Sequence, residues 1–360
     1  MKIAKCLWII ISLMIVLCVD FQIAQANTEF QNNYDYFRFE LDNQNNYVNL
    51  GTLNDSSLKK LETEVLENNI APDEIIFRNY LGLFIPFRKM DERNWGIFFE
   101  GISNAQISGD SADFYRDFDS STTMSNGRFY NIGTYSQRYI STGVYCLNKI
   151  NFENANLGWS SKIFALANYQ ELEGNGQGII KVDLNNSKEA ELHAVYRRER
   201  TTEGNIGVGL SFDWNTSMSI GQKGGFNLNV LNLPGIVYFS ELEIENGRVD
   251  AIQEIKGPVV INGFAKTENC FVYLPVLTQI EFFYASFGGT FNLNANSSGK
   301  ISDFSVGYQR NINEKLKYSI NFNPHMESLG LGCDWFGGKI NLWISTDNWE
   351  PRGIVLKLNF

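Results

Sequence analysis

Histidine, proline and cysteine are scarce in this sequence, which has 2, 7 and 5 of them among its 360 residues. Nucleophile–histidine pairs and most zinc sites need histidine or cysteine at defined places. His193 and His325 have no recognisable nucleophile beside them, and Cys146, Cys270 and Cys333 form no C-x-x-C spacing. We therefore expect no enzyme activity, no cofactor and no metal, and we interpret these three cysteines as small apolar residues.

Long apolar runs are also rare, and the only one lies at the beginning. Residues 6–19 are apolar, follow Lys2 and Lys5, and precede the small residues of the A-Q-A stretch at 24–26. The run is shorter than the roughly 20 residues that a bilayer-spanning helix needs, so it predicts a signal peptide cleaved after Ala26. No second run of this kind follows, and any membrane role must be carried by strands.

Basic residues are outnumbered once residues 1–26 are removed. The remaining chain has 28 basic and 39 acidic residues, a net charge of −11. A protein that follows nucleic-acid phosphates needs the opposite balance, so nucleic acid is not an expected partner.

Aromatic residues and glycine are abundant, at 14% of the chain and 31 residues. Apolar and polar residues alternate in segment after segment, as where Val208 and Leu210 alternate with Ser211 and Asp213. Strand side chains alternate between two faces, so one face suits lipid and the other suits water. From residue 75 to 360 this pattern predicts an all-β fold, a transmembrane antiparallel β-barrel of about 14 strands. Its lumen-facing candidates are Glu191, His193, Arg197, Asp213, Asn227, Asn229, Asp303, Lys315, Lys317, Asp334, Lys339 and Lys357.

The last eight residues predict a strand that closes this barrel. Leu356, Leu358 and Phe360 fall on one face, whereas Lys357 falls on the other. The segment resembles the carboxy-terminal assembly signal of bacterial outer-membrane barrels. The resemblance implies location in the outer membrane of a diderm bacterium, with outer-membrane lipid and the barrel assembly machinery as partners.

Residues 27–74 are predicted to form a separate plug or periplasmic segment. Residues 34–41 could form one strand, which the polar run at 42–46 would break. Residues 56–69 carry Leu58, Leu61 and Val65 at helical spacing and predict one helix. Its apolar stripe must dock on protein, and both a plug inside the lumen and a cap on the periplasmic rim satisfy this need.

Residues 108–125 carry four aspartates, Asp110, Asp113, Asp117 and Asp119. Calcium prefers such oxygen ligands, but the glycine-turned twelve-residue calcium loop is absent. A solvated surface loop is the preferred interpretation, with a calcium site as the alternative.

Several short motifs resemble the FadL/PorV-like outer-membrane barrels. Residues 204–214, GNIGVGLSFDW, and 223–239, KGGFNLNVLNLPGIVYF, look like two successive strands and a turn of that group. Residues 157–162 and the Leu274-Pro275 pair look like two further strands. The resemblance implies a fourteen-stranded barrel and, in some members, transport of a hydrophobic ligand. The amino-terminal ligand-gating motif is not recognisable here.

The sequence thus favours a passive channel or a transporter for a small or hydrophobic ligand. A structural or secretion-accessory barrel that holds a partner, as in PorV-like members, is the alternative. A lipid-modifying enzyme ranks third.

Overall fold

The computed structural model describes residues 37–46, 74–90, 93–119, 127–182, 188–202, 204–221, 223–254, 261–286, 288–298, 300–313, 316–335, 337–347 and 349–359. Several predictions lie outside these residues: the signal peptide over 1–26, the helix over 56–69 with Leu58, Leu61 and Val65, and the candidates Lys315 and Phe360.

One large sheet and one helix make up the described structure. The helix α1 is Gly109–Asp119, between β3 and β4. The strands are β1 Arg38–Asn45, β2 Glu74–Met90, β3 Arg93–Ser108, β4 Arg128–Asn151, β5 Ala155–Val182, β6 Lys188–Thr201, β7 Gly207–Ile220, β8 Gly224–Leu231, β9 Gly235–Glu254, β10 Ile261–Tyr273, β11 Leu277–Ser286, β12 Gly289–Ser298, β13 Ile301–Asn313, β14 Leu316–Asn323, β15 Ser328–Trp335, β16 Gly338–Ser345 and β17 Pro351–Asn359.

The sheet closes on itself. Strand β17 pairs with β16 on one side and with β1 on the other, and β1 pairs in turn with β2. The closed ring passes through β1 to β5, β7, β8 and β11 to β17, and each of its pairings is antiparallel. Leu356 lies opposite Leu41 in this closure. The predicted closed antiparallel barrel is therefore confirmed.

The alternation of the sequence sets the two faces of the wall. On β7, Val208 and Leu210 are 62% and 61% exposed, whereas Ser211 and Asp213 are 5% and 3% exposed. Phe304 and Val306 on β13 likewise point outward from buried Asp303 and Ser305. Along these strands the barrel thus has an apolar outside and a polar inside, the reverse of a soluble protein.

The structure delimits 17 strands, more than the predicted count of about 14, and the closed ring passes through 14 of them. Strands β6 and β7 lie end to end along β5, and β8 and β9 lie end to end along β7. Strands β6, β9 and β10 then extend the wall beyond the ring. Short turns between β6 and β7, β8 and β9, and β10 and β11 divide the wall into these separate strands.

The two ends of the barrel differ in their connections. At one end, here called the short-turn end, two or three residues join β2 to β3, β4 to β5, β7 to β8, β11 to β12, β13 to β14 and β15 to β16. The other end, here called the long-loop end, carries α1 and the extension of β6, β9 and β10.

Strand β1 corrects the predicted boundary at residue 75, because residues 38–45 belong to the barrel wall. The polar run from residue 42 does not break the strand as expected. Asp42 and Gln44 line the interior cavity, where polar side chains are suited to water. The connection from β1 to β2 leaves the wall at the long-loop end. There the Asn46 side chain donates a hydrogen bond to the Glu74 carbonyl at 2.6 Å.

Helix α1 corrects the predicted surface loop over residues 109–119, and residues 120–125 lie outside the described ranges. The Ser108 hydroxyl accepts a hydrogen bond from the backbone N–H of Ser111, as a helix N-cap does. Arg128 binds the carboxylates of Asp113 and Asp117 at 2.7 and 3.3 Å. The Tyr130 hydroxyl donates a hydrogen bond to Asp117 at 2.7 Å. These carboxylates hold the helix on β4, and no group of three metal-binding side chains occurs in the part of the chain that the structure describes.

Over the described ranges, no helix is long and apolar enough to cross a membrane.

Candidate channel interior

The interior of the ring holds a cavity of about 580 Å³. Its lining comes from strands all around the ring, so the cavity is the barrel lumen. Five acidic and five basic side chains line it, together with eleven asparagines. A lumen with so many amides and balanced charge suits water and small polar solutes.

A buried ion cluster stands on the wall at β3, β5 and β7. Lys162 is 3% exposed, and its Nζ lies 3.0 Å from Oδ2 of Asp213 and 3.2 Å from both carboxylate oxygens of Glu100. The same Nζ lies 5.0 Å from the ring centre of Phe98. Two carboxylates share one ammonium, so each anion depends on Lys162 and on its neighbouring hydroxyl donors.

Those donors tie the cluster to the wall. Ser160 donates a hydrogen bond to Asp213 at 3.0 Å, and Tyr80 donates one to Glu100 at 3.1 Å. The second oxygen of Asp213 accepts a hydrogen bond from the backbone N–H of Asn232 at 3.0 Å. Asn232 lies in the turn between β8 and β9, so Asp213 also fixes the place where the extension departs from the ring.

A second set of contacts crosses the lumen. Arg78 on β2 binds Asp303 on β13 at 2.6 Å, although five other strands of the ring lie between them on the shorter path. Asn104 on β3 donates a hydrogen bond to Ser298 on β12 at 2.9 Å. Lys300, between β12 and β13, binds Glu173 on β5 at 2.5 Å. The β12–β13 hairpin therefore reaches the opposite wall near the long-loop end. We call these three pairs the cross-lumen contacts.

Apolar side chains also connect the β12–β13 hairpin to β2. Ile76, Ile301 and Met326 form a small buried cluster from β2, β13 and the turn after β14. Burying apolar surface stabilises such a contact without the desolvation cost that charges carry. The long-loop end of the lumen is thus narrowed by both polar and apolar contacts.

One side of the interior is packed with apolar side chains. Phe98 on β3 lies edge to face with Phe164 on β5, with ring centres 6.2 Å apart. A side chain at Gly209 would collide with the Phe164 ring, so glycine is required for that close approach. The cluster continues along β4, β5, β9 and β10 and into the turn after β10, through Tyr145, Leu147, Leu166, Tyr169, Val237, Phe239, Leu242, Ile244, Val272 and Leu274.

The opposite side carries the asparagines. Asn292, Asn294 and Asn296 alternate with outward residues on β12, and Asn227 and Asn229 do the same on β8. Gln279 on β11 lies opposite both Asn229 and Asn296. We call these six residues the amide wall. It faces the same cavity as the ion cluster.

No protein-family profile and no curated protein matches this chain. Among solved structures, the deltaS2S3 mutant of the monoaromatic hydrocarbon channel TodX is similar over 91% of each chain, with 10% identity and a TM-score of 0.41. Siderophore receptors PirA from Pseudomonas aeruginosa and Acinetobacter baumannii are similar over 92% of this chain and 81% of theirs. Their identity is 7%, and their TM-scores are 0.22 and 0.20.

The closed strand pairing described above establishes the barrel of this chain. The hydrocarbon ligand is named for TodX, and the siderophore ligands are named for the two PirA receptors.

The structure places some of the predicted lumen residues on strands of the closed ring and others on the extension. Asp213, Asn227, Asn229, Lys339 and Lys357 line the cavity. Asp334 and Lys317 are two further candidates, and they lie opposite each other on the neighbouring strands β15 and β14. Asp334 also accepts a hydrogen bond from Gln309 at 2.6 Å. Asp303 takes part in the cross-lumen contacts.

The candidates on β6 do not line the lumen, because β6 lies outside the closed ring. His193 is exposed and lies 2.8 Å from Asp250 on β9. Glu191 binds Lys181 at 2.5 Å, and Arg197 binds Glu199 at 2.5 Å. These contacts lie on the surface of the extension. The alternating pattern predicts that β6 is a strand with one polar face. It does not show that β6 lies in the extension and not in the closed ring.

Sequence reasoning missed the residues that shape the lumen most strongly. Lys162 lies in the segment 157–162, whose resemblance to a strand assigns no role to the lysine, and its partner Glu100 follows Phe98 and Phe99, where alternation is ambiguous. Asn292, Asn294 and Asn296 did carry a readable signal. They alternate with Phe291, Leu293 and Ala295 over six residues, and that pattern places amides on one face.

Proposed function

We propose that this protein is an outer-membrane channel or transporter for a small polar solute. The observation that carries the proposal is the pairing of an apolar barrel exterior with a ring-enclosed cavity lined by amides and balanced charges. Burying such groups without partners costs free energy, so the cavity favours water and polar ligands over hydrocarbons. In outer-membrane barrels the short turns face the periplasm, which would direct the long-loop end outward.

Reconstitution tests this proposal. The purified barrel, inserted into planar bilayers, should give discrete ionic currents, and liposomes that contain it should swell in small sugars or amino acids. In unboiled gels the folded protein should migrate differently from the boiled form, and it should fractionate with outer membranes. Recovery as a soluble periplasmic protein, or folded barrels without any solute flux, would contradict it.

A second function is favoured by the cross-lumen contacts. A barrel whose hairpin bridges the lumen is suited to a structural or secretion-accessory role, in which a partner binds the long-loop end. The same reconstitution separates the two functions, because an accessory barrel folds and inserts but conducts nothing even after the contacts are removed.

A further inference from the structure

We propose that the amide wall is a binding site for a neutral polyhydroxylated solute of the oligosaccharide class. This inference rests on the proposed channel function and names its ligand class. It concerns Asn227, Asn229, Gln279, Asn292, Asn294 and Asn296, which lie on three adjacent strands and face one cavity.

The register arranges these amides in rows. One row contains Asn229, Gln279 and Asn296, which lie opposite one another on β8, β11 and β12. The next row, nearer the short-turn end, contains Asn227, Glu281 and Asn294. Adjacent strands lie about 4.8 Å apart, so the rows form a regular grid of polar groups. A chain of linked sugar rings, which presents hydroxyls at regular intervals, can bind several points of this grid at once.

Several of these amides are available to a ligand. Asn229, Asn292 and Asn294 make no side-chain hydrogen bond to any residue within the described ranges. Asn227 donates to Glu281 at 2.9 Å, and Asn296 donates to Asp303 at 2.8 Å. Each of these two bonds orients an amide by one of its donors and leaves its carbonyl oxygen to accept.

The chemistry of the amide group selects the ligand. An amide offers two donors and an acceptor oxygen, and a hydroxyl both donates and accepts, so the two types of group complement each other. An apolar ligand would leave the amides without partners. A strongly charged ligand would need a surplus of opposite charge, whereas the cavity has five acids and five bases. An extended peptide binds best along a free sheet edge, which a closed ring does not offer.

Trp343 borders the same cavity. Its side chain is 6% exposed and packs over Gly330. A ligand in the cavity changes the surroundings of this indole, so tryptophan fluorescence provides an optical signal for binding.

Binding is tested directly in detergent, independently of conduction. Maltose, maltotriose and maltohexaose are titrated into the folded full-length protein, and tryptophan fluorescence and calorimetry are followed. We expect affinity to rise with chain length. The double variant Asn292→Leu/Asn294→Leu should bind maltohexaose at least about tenfold more weakly, while the matched control Asn131→Leu, on the exposed part of β4, should bind as the natural protein does.

Conductance in planar bilayers supplies the second readout. Maltohexaose should block the current of the natural protein, and a polyethylene glycol of equal size should not. If no current is seen but maltohexaose binds and the double variant does not bind it, the channel proposal fails and the site stands. Absence of sugar binding, equal binding by the folded double variant, or preferential binding of a short peptide or of toluene would overturn the site.

Heat-modifiable migration of each variant verifies its folding, and the milder variant Asn292→Asp replaces the double variant if that one does not fold.

Discussion

The Nζ atom of Lys162 lies 3.0 Å from Oδ2 of Asp213, between β5 and β7 on the inside of the barrel. Both side chains are almost fully buried, and Glu100 completes the cluster. A buried ion pair contributes little net stability compared with an apolar replacement of the whole set, but removing one partner leaves an uncompensated charge. Lys162 is therefore the member on which the other two depend.

Replacing Lys162 with methionine should destabilise the barrel strongly. The change leaves two buried carboxylates without their cation, and such losses cost about 3–5 kcal/mol. Urea unfolding of the detergent-folded protein, followed by gel mobility, measures the effect. The matched control Lys181→Met removes an exposed partner of Glu191 and should cost no more than about 1 kcal/mol.

A triple variant sharpens this prediction. Combining Lys162→Met with Glu100→Gln and Asp213→Asn removes the charges together and should restore much of the lost stability. If Lys162→Met and Lys181→Met shift the unfolding midpoint equally, the cluster is not the buried ionic site described here.

Alternation along the strands made much of this architecture predictable. Val208 and Asp213 point to opposite faces, as their spacing predicted, because strand geometry fixes side-chain direction locally. Arg78 and Asp303 were not predictable as partners. They are separated by 225 residues, and their contact depends on the β12–β13 hairpin crossing the lumen. No local pattern encodes that crossing.

Helix α1 shows a different limit. Four aspartates dominated the pattern and indicated a solvated loop, whereas Ser108 as N-cap and the pairing with Arg128 favour a helix. Pairing with a residue on the next strand neutralises charges that appear unpaired in the sequence. Tertiary contacts thus overrode a reading based on polarity alone.

The cross-lumen contacts should limit the open area of the channel. Replacing Arg78 with alanine and Asp303 with asparagine releases the β12–β13 hairpin from β2, so single-channel conductance in planar bilayers should rise. The control Arg200→Ala removes an ion pair with Glu243 between β6 and β9 of the extension and should leave conductance unchanged. Equal conductance in all three proteins, with folding intact, would show that the hairpin does not restrict flow.

The outward face of β17 should matter for insertion. Leu356 lies opposite Leu41 and Ile340, whereas its neighbours Val355 and Lys357 line the cavity. A positive charge on a lipid-facing strand costs up to about 2–4 kcal/mol at the bilayer midplane. Leu356→Arg should therefore lower the amount of heat-modifiable barrel in outer membranes, and Lys357→Gln should not.

Deletion of Phe360 is expected to impair assembly for a related reason. It shares the predicted apolar face with Leu356 and Leu358, and assembly factors that recognise the terminal strand would lose its last aromatic residue. Pulse-chase of membrane insertion measures this effect. Insertion at the natural rate after the deletion would remove the support for a carboxy-terminal assembly signal.

The connection between β1 and β2 can be tested without opening the ring. Removing all of residues 27–74 would delete β1 and leave β2 and β17 unpaired on one side, so that deletion cannot separate plugging from loss of the barrel. Replacing residues 48–72 with a short glycine–serine linker keeps β1, the hydrogen bond that Asn46 donates to the Glu74 carbonyl and the one that its side-chain oxygen accepts from the Ile76 N–H. We expect this variant to fold, because loop shortening changes closure entropy only slightly.

Its conductance then decides the role of the segment. If the predicted helix with Leu58, Leu61 and Val65 plugs the lumen, the linker variant should conduct more than the natural protein and should allow larger solutes into liposomes. A control that replaces these three leucine and valine residues with serine keeps the length of the segment and removes its apolar stripe, so it should conduct as the linker variant does. Unchanged flux in both variants, with the barrel intact, would instead favour a segment that contacts the rim or a partner.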